Sequence, residues 1–415
     1  MEGSALARRL GTTDAVVIGL GSMIGAGVFA AFGPAARAAG VALLIGLALA
    51  AAVAYCNAIA SARLAARYPV SGGTYIYGRE RLGPWWGFLA GWGFVIGKTA
   101  SCAAMALTVA SYTVTGPGWA QRAVAVAAVA VLAALNYHGI TKTAMLARIL
   151  VACTFIALAV VVIGIAAARP GSAHLIEGWS VVTPYGVLQA AGLLFFAFAG
   201  YARIATMGEE VRDPAHAIPK AITLALTITV ATYLVVAVAV LSAAGPARLA
   251  RAAAPLAEAL RAAGVASLVP VVAVGGALAS LGALLALIAG VGRTALAMAR
   301  HRDLPRWLAA VHPRYQVPHH AESALAVAVC VLVATVDLRG AIGFSSFGVL
   351  IYYAIANAAA YTLAGRGRLR ALSVCGLIGC LVLVVTLPWE SVAAGLGMFA
   401  VGVAGRWVVL RRRTG

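Results

Sequence analysis

The stretch Gly19-Leu20-Gly21-Ser22-Met23-Ile24-Gly25-Ala26-Gly27-Val28-Phe29 lies in the middle of an apolar run from about Asp14 to Gly40. A run of this length can cross a bilayer, which takes about 20 apolar residues. Each glycine, however, destabilises a helix interior by about 1 kcal/mol relative to alanine, and several fall within this short stretch. Unpaired backbone in hydrocarbon is tolerated only where it lines a cavity inside the protein, so the stretch predicts an interrupted crossing that binds a polar ligand. The alternative is close helix packing, because Gly21 and Gly25 have small-xxx-small spacing.

The composition indicates a polytopic membrane protein. Of the 415 residues, 63% are hydrophobic and 10% are charged, and the mean hydropathy is +0.97. A soluble domain has about 25% charged residues. The formal charge of +19 could indicate nucleic-acid binding, but the arginines lie in short segments between apolar runs, which positive-inside topology explains better.

Cysteines and histidines do not suggest chemistry. The six cysteines lie within apolar runs, and His319 and His320 are adjacent in a loop while the other histidines lie apart. Neither set has paired metal-ligand spacing, and an enzyme would be expected to cluster His, Asp and Glu near the spans. We therefore predict no metal, no cofactor and no enzymatic activity.

Apolar runs separated by charged or Gly/Pro-rich breaks predict twelve crossings. We place them near 14–39, 41–65, 85–114, 120–138, 145–168, 184–208, 219–243, 267–299, 321–337, 341–364, 371–387 and 390–410. The ninth is short, and the last forty residues divide into two. The polar segment Pro246–Gly264 is expected to form an external interfacial helix, and the segment after Tyr68 is expected to lie along the other surface.

An even number of crossings places both termini on one side. Twenty-two of the 31 Lys and Arg residues fall on that side and seven on the other, while Lys98 and Arg203 lie inside crossings. The asymmetry predicts cytoplasmic N- and C-termini in a plasma (inner) membrane.

The sixth crossing repeats the interruption of the first. It reads Phe195-Phe196-Ala197-Phe198-Ala199-Gly200-Tyr201-Ala202-Arg203, with a glycine and then an arginine in mid-span. Two interrupted spans in corresponding positions of two halves are the sequence pattern of a transporter built from inverted repeats, with its site where the repeats meet. Channels and receptors also carry mid-span glycine and arginine, so the pattern alone does not exclude them.

Four groups of residues together resemble the amino acid–polyamine–organocation (APC) family of permeases. They are Gly19–Phe29 followed by Gly33-Pro34, the segment Tyr68–Tyr75, the segment Phe196–Pro219 with its Glu209-Glu210 pair, and the segment Arg293–Pro318. The resemblance implies an all-α integral membrane protein of the LeuT-like fold, a 5+5 inverted repeat with about 12 transmembrane helices and with helices 1 and 6 unwound at mid-membrane. It implies a single transport domain, with the first repeat in residues 1–168, the second in 184–364 and two additional C-terminal helices in 371–410.

The resemblance also implies a substrate site at the two interruptions. Backbone amides at the start of the second half of crossing 1 are expected to bind an α-carboxylate, because a helix N-terminus favours anions. Carbonyls of both interruptions, including those near Val17, Ile18 and Leu20, are expected to bind the α-ammonium, and Tyr201 is expected to act as a gate. Phe195, Phe196 and Phe198 could instead be packing residues. The expected substrate-binding residues are Ile18, Ser22, Met23, Ile24, Gly25, Ala26, Gly27, Lys98, Phe195, Phe198, Ala199, Gly200 and Tyr201.

Lys98 and Arg203 depart from the family pattern. An ionisable residue at the bilayer centre costs several kcal/mol unless it is paired or solvated, so we interpret Lys98 as a functional residue. It is flanked by more than ten apolar residues on either side and cannot reach an interface. Arg203 could pair structurally with Glu209 or Glu210. The candidate coupling residues are Lys98, Arg203 and Glu209, with protons as the coupling partner, since a buried lysine can exchange its proton near neutral pH.

The sequence thus predicts a secondary active transporter of amino acids that works by alternating access. Repulsion from Lys98 and Arg203 favours substrates with a neutral or acidic side chain over a cationic one. Sodium coupling is less favoured, because a cation site close to an ammonium would be repelled. The resemblance also implies hydroxyls in crossing 8 at a sodium-type position, for which Ser280 is the only evident candidate. An obligate exchanger and, less favoured, a channel remain as alternatives.

Overall fold

The computed structural model describes residues 10–414, except 71, 115, 139–143, 172, 177, 178, 180, 181, 206, 208–210, 364 and 366. Within these residues, eleven helices are long and apolar enough to cross a membrane. A twelfth apolar helix, His319–Thr335, has 17 residues. The chain is therefore an all-α membrane protein of about twelve crossings, as predicted, and the short helix is the predicted ninth.

The first half of the chain contains crossings 1 to 5. Crossing 1 is divided into α1 (Thr12–Met23), α2 (Ala26–Ala30) and α3 (Phe32–Ala39). Crossings 2 to 5 are α4 (Leu43–Arg67), α6 (Pro84–Thr113), α7 (Gly118–Tyr137) and α8 (Ala144–Ala168), with the short α5 (Thr74–Leu82) between α4 and α6. Pro84 begins α6, a position where the missing N–H of proline costs no helical hydrogen bond.

The second half begins with the short α9 (Ala173–Ile176). Crossing 6 consists of α10 (Pro184–Phe198), a 3-10 turn (Ala199–Tyr201) and α11 (Ala202–Ala205). The later crossings are α12 (Pro214–Arg251), α14 (Val269–Arg300), α15 (His319–Thr335), α16 (Leu338–Tyr361), α17 (Gly367–Thr386) and α18 (Trp389–Thr414), with the short α13 (Pro255–Ala262) between α12 and α14.

Three helices form the centre of the bundle. Most residues of α6, α10 and α16 are buried, whereas most of α7 and α18 lies on the outside. Exposed apolar side chains on the outer helices, such as Val131 and Val401, have the character of a lipid-facing surface. Helix α10 belongs to interrupted crossing 6, and α2 and α3 of interrupted crossing 1 pack against it. The interruptions therefore lie inside the protein, where irregular backbone is tolerated.

The segment Pro246–Gly264 differs from the prediction. Helix α12 continues to Arg251 beyond a kink at Gly245, where φ is 68°, and α13 follows as a separate helix. Leu256 and Leu260 of α13 are fully buried. The apolar side of α13 thus packs onto the protein, while Glu258 and Arg261 on the same helix are partly exposed, and the external interfacial placement stays a prediction. Helix α5 behaves similarly, since Tyr75 and Tyr77 are fully buried.

Candidate functional site

Crossing 1 is interrupted where the glycine-rich stretch predicts it. Helix α1 ends at Met23, Ile24 and Gly25 have non-helical backbone angles, and α2 begins at Ala26. The Ile24 amide still donates to the Leu20 carbonyl at 2.6 Å, so the helical geometry is interrupted over only a short stretch. Ala26 and Gly27 form the first turn of α2 and are buried. The amides expected to bind a carboxylate therefore lie at a buried helix start.

Crossing 6 changes its winding instead of opening fully. The α-helix ends at Phe198, the chain continues as a 3-10 turn through Gly200, and α11 resumes at Ala202. The Ala199 amide donates to the Phe196 carbonyl. A 3-10 segment within a helix often marks a functional hinge. The interruption is at the predicted position, but it is tighter than an unwound stretch.

The two interruptions touch each other at Gly200. A Cβ added to Gly200 would overlap the main chain of Ser22 and Met23. A Cβ added to Gly25 would overlap the side chain of Ala283 on α14. Both glycines therefore allow close approach, as the packing alternative expects: Gly200 joins the two interrupted crossings, and Gly25 joins crossing 1 to α14. At Gly200, the close helix packing and the helix interruption therefore occur at the same place.

Tyr233 of α12 bridges the interruptions. Its hydroxyl lies 2.6 Å from the Met23 carbonyl and 3.0 Å from the Ala197 carbonyl, and the side chain is 1% exposed. A buried carbonyl without a donor costs about 1–3 kcal/mol. One hydroxyl has a single proton to donate and stands between both acceptors, so Tyr233 holds the end of α1 close to α10.

Lys98 of α6 lies at the same level. Its side chain is 4% exposed and its Nζ donates to the Ala199 carbonyl at 3.2 Å. The Tyr353 hydroxyl of α16 donates to the same carbonyl at 3.3 Å. Among the described residues no carboxylate forms an ion pair with Lys98, so its ammonium is held by a backbone dipole. The predicted mid-membrane lysine thus reaches the interruption of crossing 6.

A small cavity lies beside Lys98. Its volume is about 20 Å³, which is room for about one water molecule. The lining comes from both interruptions and from α6 and α14, and consists of Ser22, Phe94, Lys98, Ala199, Gly200, Ala202, Arg203, Ala286, Leu287 and Gly290. Two cations and no described carboxylate line it. An amino acid does not fit there without movement of the surrounding groups.

Other predicted site residues serve packing or internal hydrogen bonds in this structure. The Ser22 hydroxyl donates to the Ile18 carbonyl at 2.8 Å. Phe195 and Phe198 are fully buried, and their rings contact Tyr353 and Tyr233 respectively. These ring contacts are those of the packing alternative.

Tyr201 and the charged candidates complete the set. The Tyr201 ring is fully buried and contacts the Tyr353 ring in a tilted arrangement with centroids 4.9 Å apart, and it does not line the cavity. The gate expected of Tyr201 is therefore not at the cavity in this structure. Arg203 is partly buried and lines the cavity. Glu209 lies outside the described residues.

The side of the bundle opposite the termini is closed above the site. The Tyr112 hydroxyl donates to the Phe29 carbonyl at 2.8 Å and accepts from the Leu256 amide at 3.3 Å. The Phe29 and Tyr112 rings meet edge to face, and Leu256 is fully buried. The cavity at Lys98 is lined by the halves of crossings 6 and 8 that lead toward the termini. The contacts of Tyr112 thus close the side opposite the termini, and the cavity lies on the terminal side of these contacts.

Sequence reasoning missed Tyr233 and Tyr353, which lie on α12 and α16. A signal exists, because a tyrosine in mid-span needs a partner for its hydroxyl when it is buried. The sequence does not reveal which carbonyl serves as that partner, since the contacts of Tyr233 with Met23 and of Tyr353 with Ala199 join helices far apart in the chain.

Comparison with known proteins shows which protein family this chain matches. A family model described as amino acid permease matches residues 10–404. The chain is 64% identical to an uncharacterized transporter of Mycobacterium tuberculosis, over 98% of this chain and 93% of that protein. It is 26% identical to a branched-chain amino acid permease of Bacillus subtilis, over 99% and 94% of the two chains. It is 27% identical to cationic amino acid transporter 7 of Arabidopsis thaliana, over 95% and 73%.

Proposed function

We propose that this chain, which belongs to the amino acid permease family, is a secondary active transporter that moves amino acids by alternating access. The observation that carries the proposal is the contact between the two interrupted crossings at Gly200 and Ser22, beside a buried lysine. Closure on the side of Phe29 and Tyr112, with the cavity on the other side, supports a carrier that opens to one side at a time. The inverted-repeat, LeuT-like arrangement is part of this proposal.

The proposed substrate binds with its α-carboxylate near the buried start of α2 and its α-ammonium on carbonyls of the interruptions. A helix N-terminus favours the anionic group, whereas carbonyl dipoles favour the cationic one. Binding first requires the internal hydrogen bonds of Tyr233 or Lys98 to rearrange, because the cavity holds about one water molecule. The site residues are those predicted from the sequence, with the carbonyl of Ala199 as the central acceptor.

The substrate side chain is proposed to be neutral or acidic. Lys98 lines the cavity and pairs with no carboxylate among the described residues, so a cationic side chain beside it in a low-dielectric site would be repelled. The name of the Bacillus subtilis permease, for branched-chain amino acids, agrees with this charge argument, whereas that of the Arabidopsis thaliana transporter does not. The charge of Lys98 in the cavity lining supports the first.

A binding screen tests the substrate class. Thermal-unfolding midpoints of the purified protein are measured with each of the twenty amino acids and with a set of amines. We expect L-leucine, L-isoleucine or L-valine to raise the midpoint, with L-lysine and L-arginine without effect. A midpoint raised only by cationic amino acids would contradict the proposed substrate class.

Protons are the proposed coupling ion. Lys98 is the leading coupling residue because it is buried and lines the cavity, and Arg203 and Glu209 are the other candidates. An obligate exchanger uses the same site and is the alternative within transport. If Lys98 couples, Lys98→Ala should exchange substrate across liposomes but lose its response to an imposed pH gradient. An unchanged response would remove Lys98 from the coupling mechanism.

Both termini are proposed to lie in the cytoplasm, with the protein in the plasma (inner) membrane. Twenty-two Lys and Arg residues lie on the side of the termini and seven on the other side, which supports this orientation. In a Cys375→Ser background, a membrane-impermeant thiol reagent added to intact cells should label Ala253→Cys and not Arg306→Cys, since both positions are exposed. Labelling of Arg306→Cys alone would reverse the orientation.

A further inference from the structure

The Ala199 carbonyl is already saturated by donors from the protein itself. The Lys98 ammonium lies 3.2 Å from this oxygen and the Tyr353 hydroxyl lies 3.3 Å from it. A carbonyl oxygen has two lone pairs, so two side-chain donors fill its capacity. A substrate ammonium can therefore reach this oxygen only if one of the two donors leaves.

Tyr353 is the fixed donor of the two. Its ring contacts Phe195 at 5.8 Å, Tyr201 at 4.9 Å and Tyr352 at 5.1 Å, and the side chain is fully buried. Lys98 instead ends a flexible four-carbon stem, and the cavity lies against it. Lys98 is therefore the donor that can move.

The contact is also chemically specific. Lys98 offers a primary ammonium, which is the same group as the α-ammonium of an amino acid. No carboxylate among the described residues neutralises this ammonium, and its hydrogen-bond acceptor is the Ala199 carbonyl. A second ammonium placed beside it in a dry cavity would be strongly repelled.

We propose that Lys98 is a tethered ammonium that occupies the binding position of the substrate α-ammonium in the empty transporter, so that every α-amino acid must displace it. This inference rests on the proposed function and names the group that the site recognises. It predicts that Lys98 opposes ligands that carry an α-ammonium. Ligands that keep the carboxylate but lack the α-ammonium can bind with Lys98 in place, and they gain from its charge.

The test removes the lysine and varies the ligand. Lys98→Ala deletes Cγ, Cδ, Cε and Nζ, which together correspond to n-propylammonium. Binding constants are measured for L-leucine and for 4-methylpentanoate, which differ by the α-ammonium. We expect Lys98→Ala to bind L-leucine at least tenfold more tightly than the original chain, and to bind 4-methylpentanoate more weakly. Lys220→Ala removes an exposed lysine and should change neither affinity.

A second measurement does not depend on amino acid transport. n-Propylammonium should raise the unfolding midpoint of Lys98→Ala, by filling the vacated position at Ala199, and should leave the original chain and Lys220→Ala unchanged. The uncharged isostere 1-propanol should have no effect. If n-propylammonium binds in this way but no amino acid binds either chain, the proposed substrate fails while the ammonium position stands.

Two results would overturn the inference. Equal weakening of L-leucine and 4-methylpentanoate in Lys98→Ala would make Lys98 a partner of the carboxylate. Failure of n-propylammonium to stabilise a folded Lys98→Ala would show that Ala199 is not an ammonium acceptor. If Lys98→Ala does not fold, Lys98→Met keeps most of the side-chain length without the charge, and unchanged L-leucine affinity in it would equally reject the proposal.

Discussion

At the scale of single residues, the site is defined by side chains that satisfy the backbone where helices are interrupted. Tyr233 stands between the carbonyls of Met23 and Ala197, and Lys98 with Tyr353 serves Ala199. These contacts explain how an interrupted helix survives in a membrane protein, because each unpaired group in hydrocarbon would cost several kcal/mol. They also explain why the site is closed without substrate.

Tyr233→Phe tests this role of the hydroxyl. The variant keeps the ring against Phe198 but removes the donor shared by two buried carbonyls. We expect the free energy of unfolding to fall by about 1–3 kcal/mol, with a lower unfolding midpoint in detergent. Tyr185→Phe removes a hydroxyl from a side chain that is 54% exposed and should leave the midpoint unchanged. Equal midpoints for the two variants would contradict the bridging role.

The positions of the two helix interruptions were predictable from the sequence, whereas the side chains that hydrogen-bond to them were not. Gly25, Gly200 and Lys98 stand out from the apolar residues around them, so they could be recognised from the sequence alone. Tyr233 and Tyr353 are ordinary residues of apolar spans, and their importance follows from which carbonyl they face. The contact of the Tyr201 ring with Tyr353 likewise could not be read from the sequence, and its role as a gate stays a prediction.

At the scale of elements, a buried charge cluster joins α5, α18 and the loop after α14. Asp303 lies 2.7 Å from Arg406, accepts from the Tyr75 hydroxyl at 2.8 Å and lies 3.4 Å from Arg79. The Arg406 guanidinium lies over the Phe88 ring at 4.6 Å. Burial, and then the Asp303 carboxylate, raise the pKa of Tyr75, so its hydroxyl stays protonated and remains a donor.

Arg406→Ala tests whether this cluster holds the elements together. Arg406 and Asp303 are each 7% exposed, and removing one partner of a buried ion pair costs about 3–5 kcal/mol. We expect a large fall in the unfolding midpoint. Arg261→Ala breaks a partly exposed pair with Glu258 and should cost less than about 1 kcal/mol. A similar, small effect of both substitutions would show that the cluster is not a structural tie.

Element boundaries followed from hydropathy, but element docking did not. The twelve predicted crossings match the helices closely because apolar length is a one-dimensional property. The contact of Asp303 with Arg406 joins residues about a hundred positions apart, and no periodicity encodes it. The same holds for α13, whose apolar side chains could have met either lipid or protein.

At the scale of the whole molecule, the bundle is closed on the side opposite the termini. Phe29, Tyr112 and Leu256 seal that side, while the cavity at Lys98 is lined by the helix halves that lead to the terminal side. A carrier that works by alternating access needs a second conformation, in which the terminal side is closed and the opposite side is open. The pairing of residues 1–168 with 184–364 as inverted repeats remains a prediction, and it would supply that second arrangement by symmetry.

The most direct test of the carrier mechanism is counterflow in proteoliposomes. Vesicles are loaded with the unlabelled amino acid that the binding screen selects, and labelled amino acid is added outside at low concentration. Alternating access predicts transient accumulation of label inside, saturation with external concentration, and loss of accumulation when the vesicles are loaded with buffer alone. A flux that rises linearly with concentration and ignores the internal amino acid would contradict the account and indicate a channel.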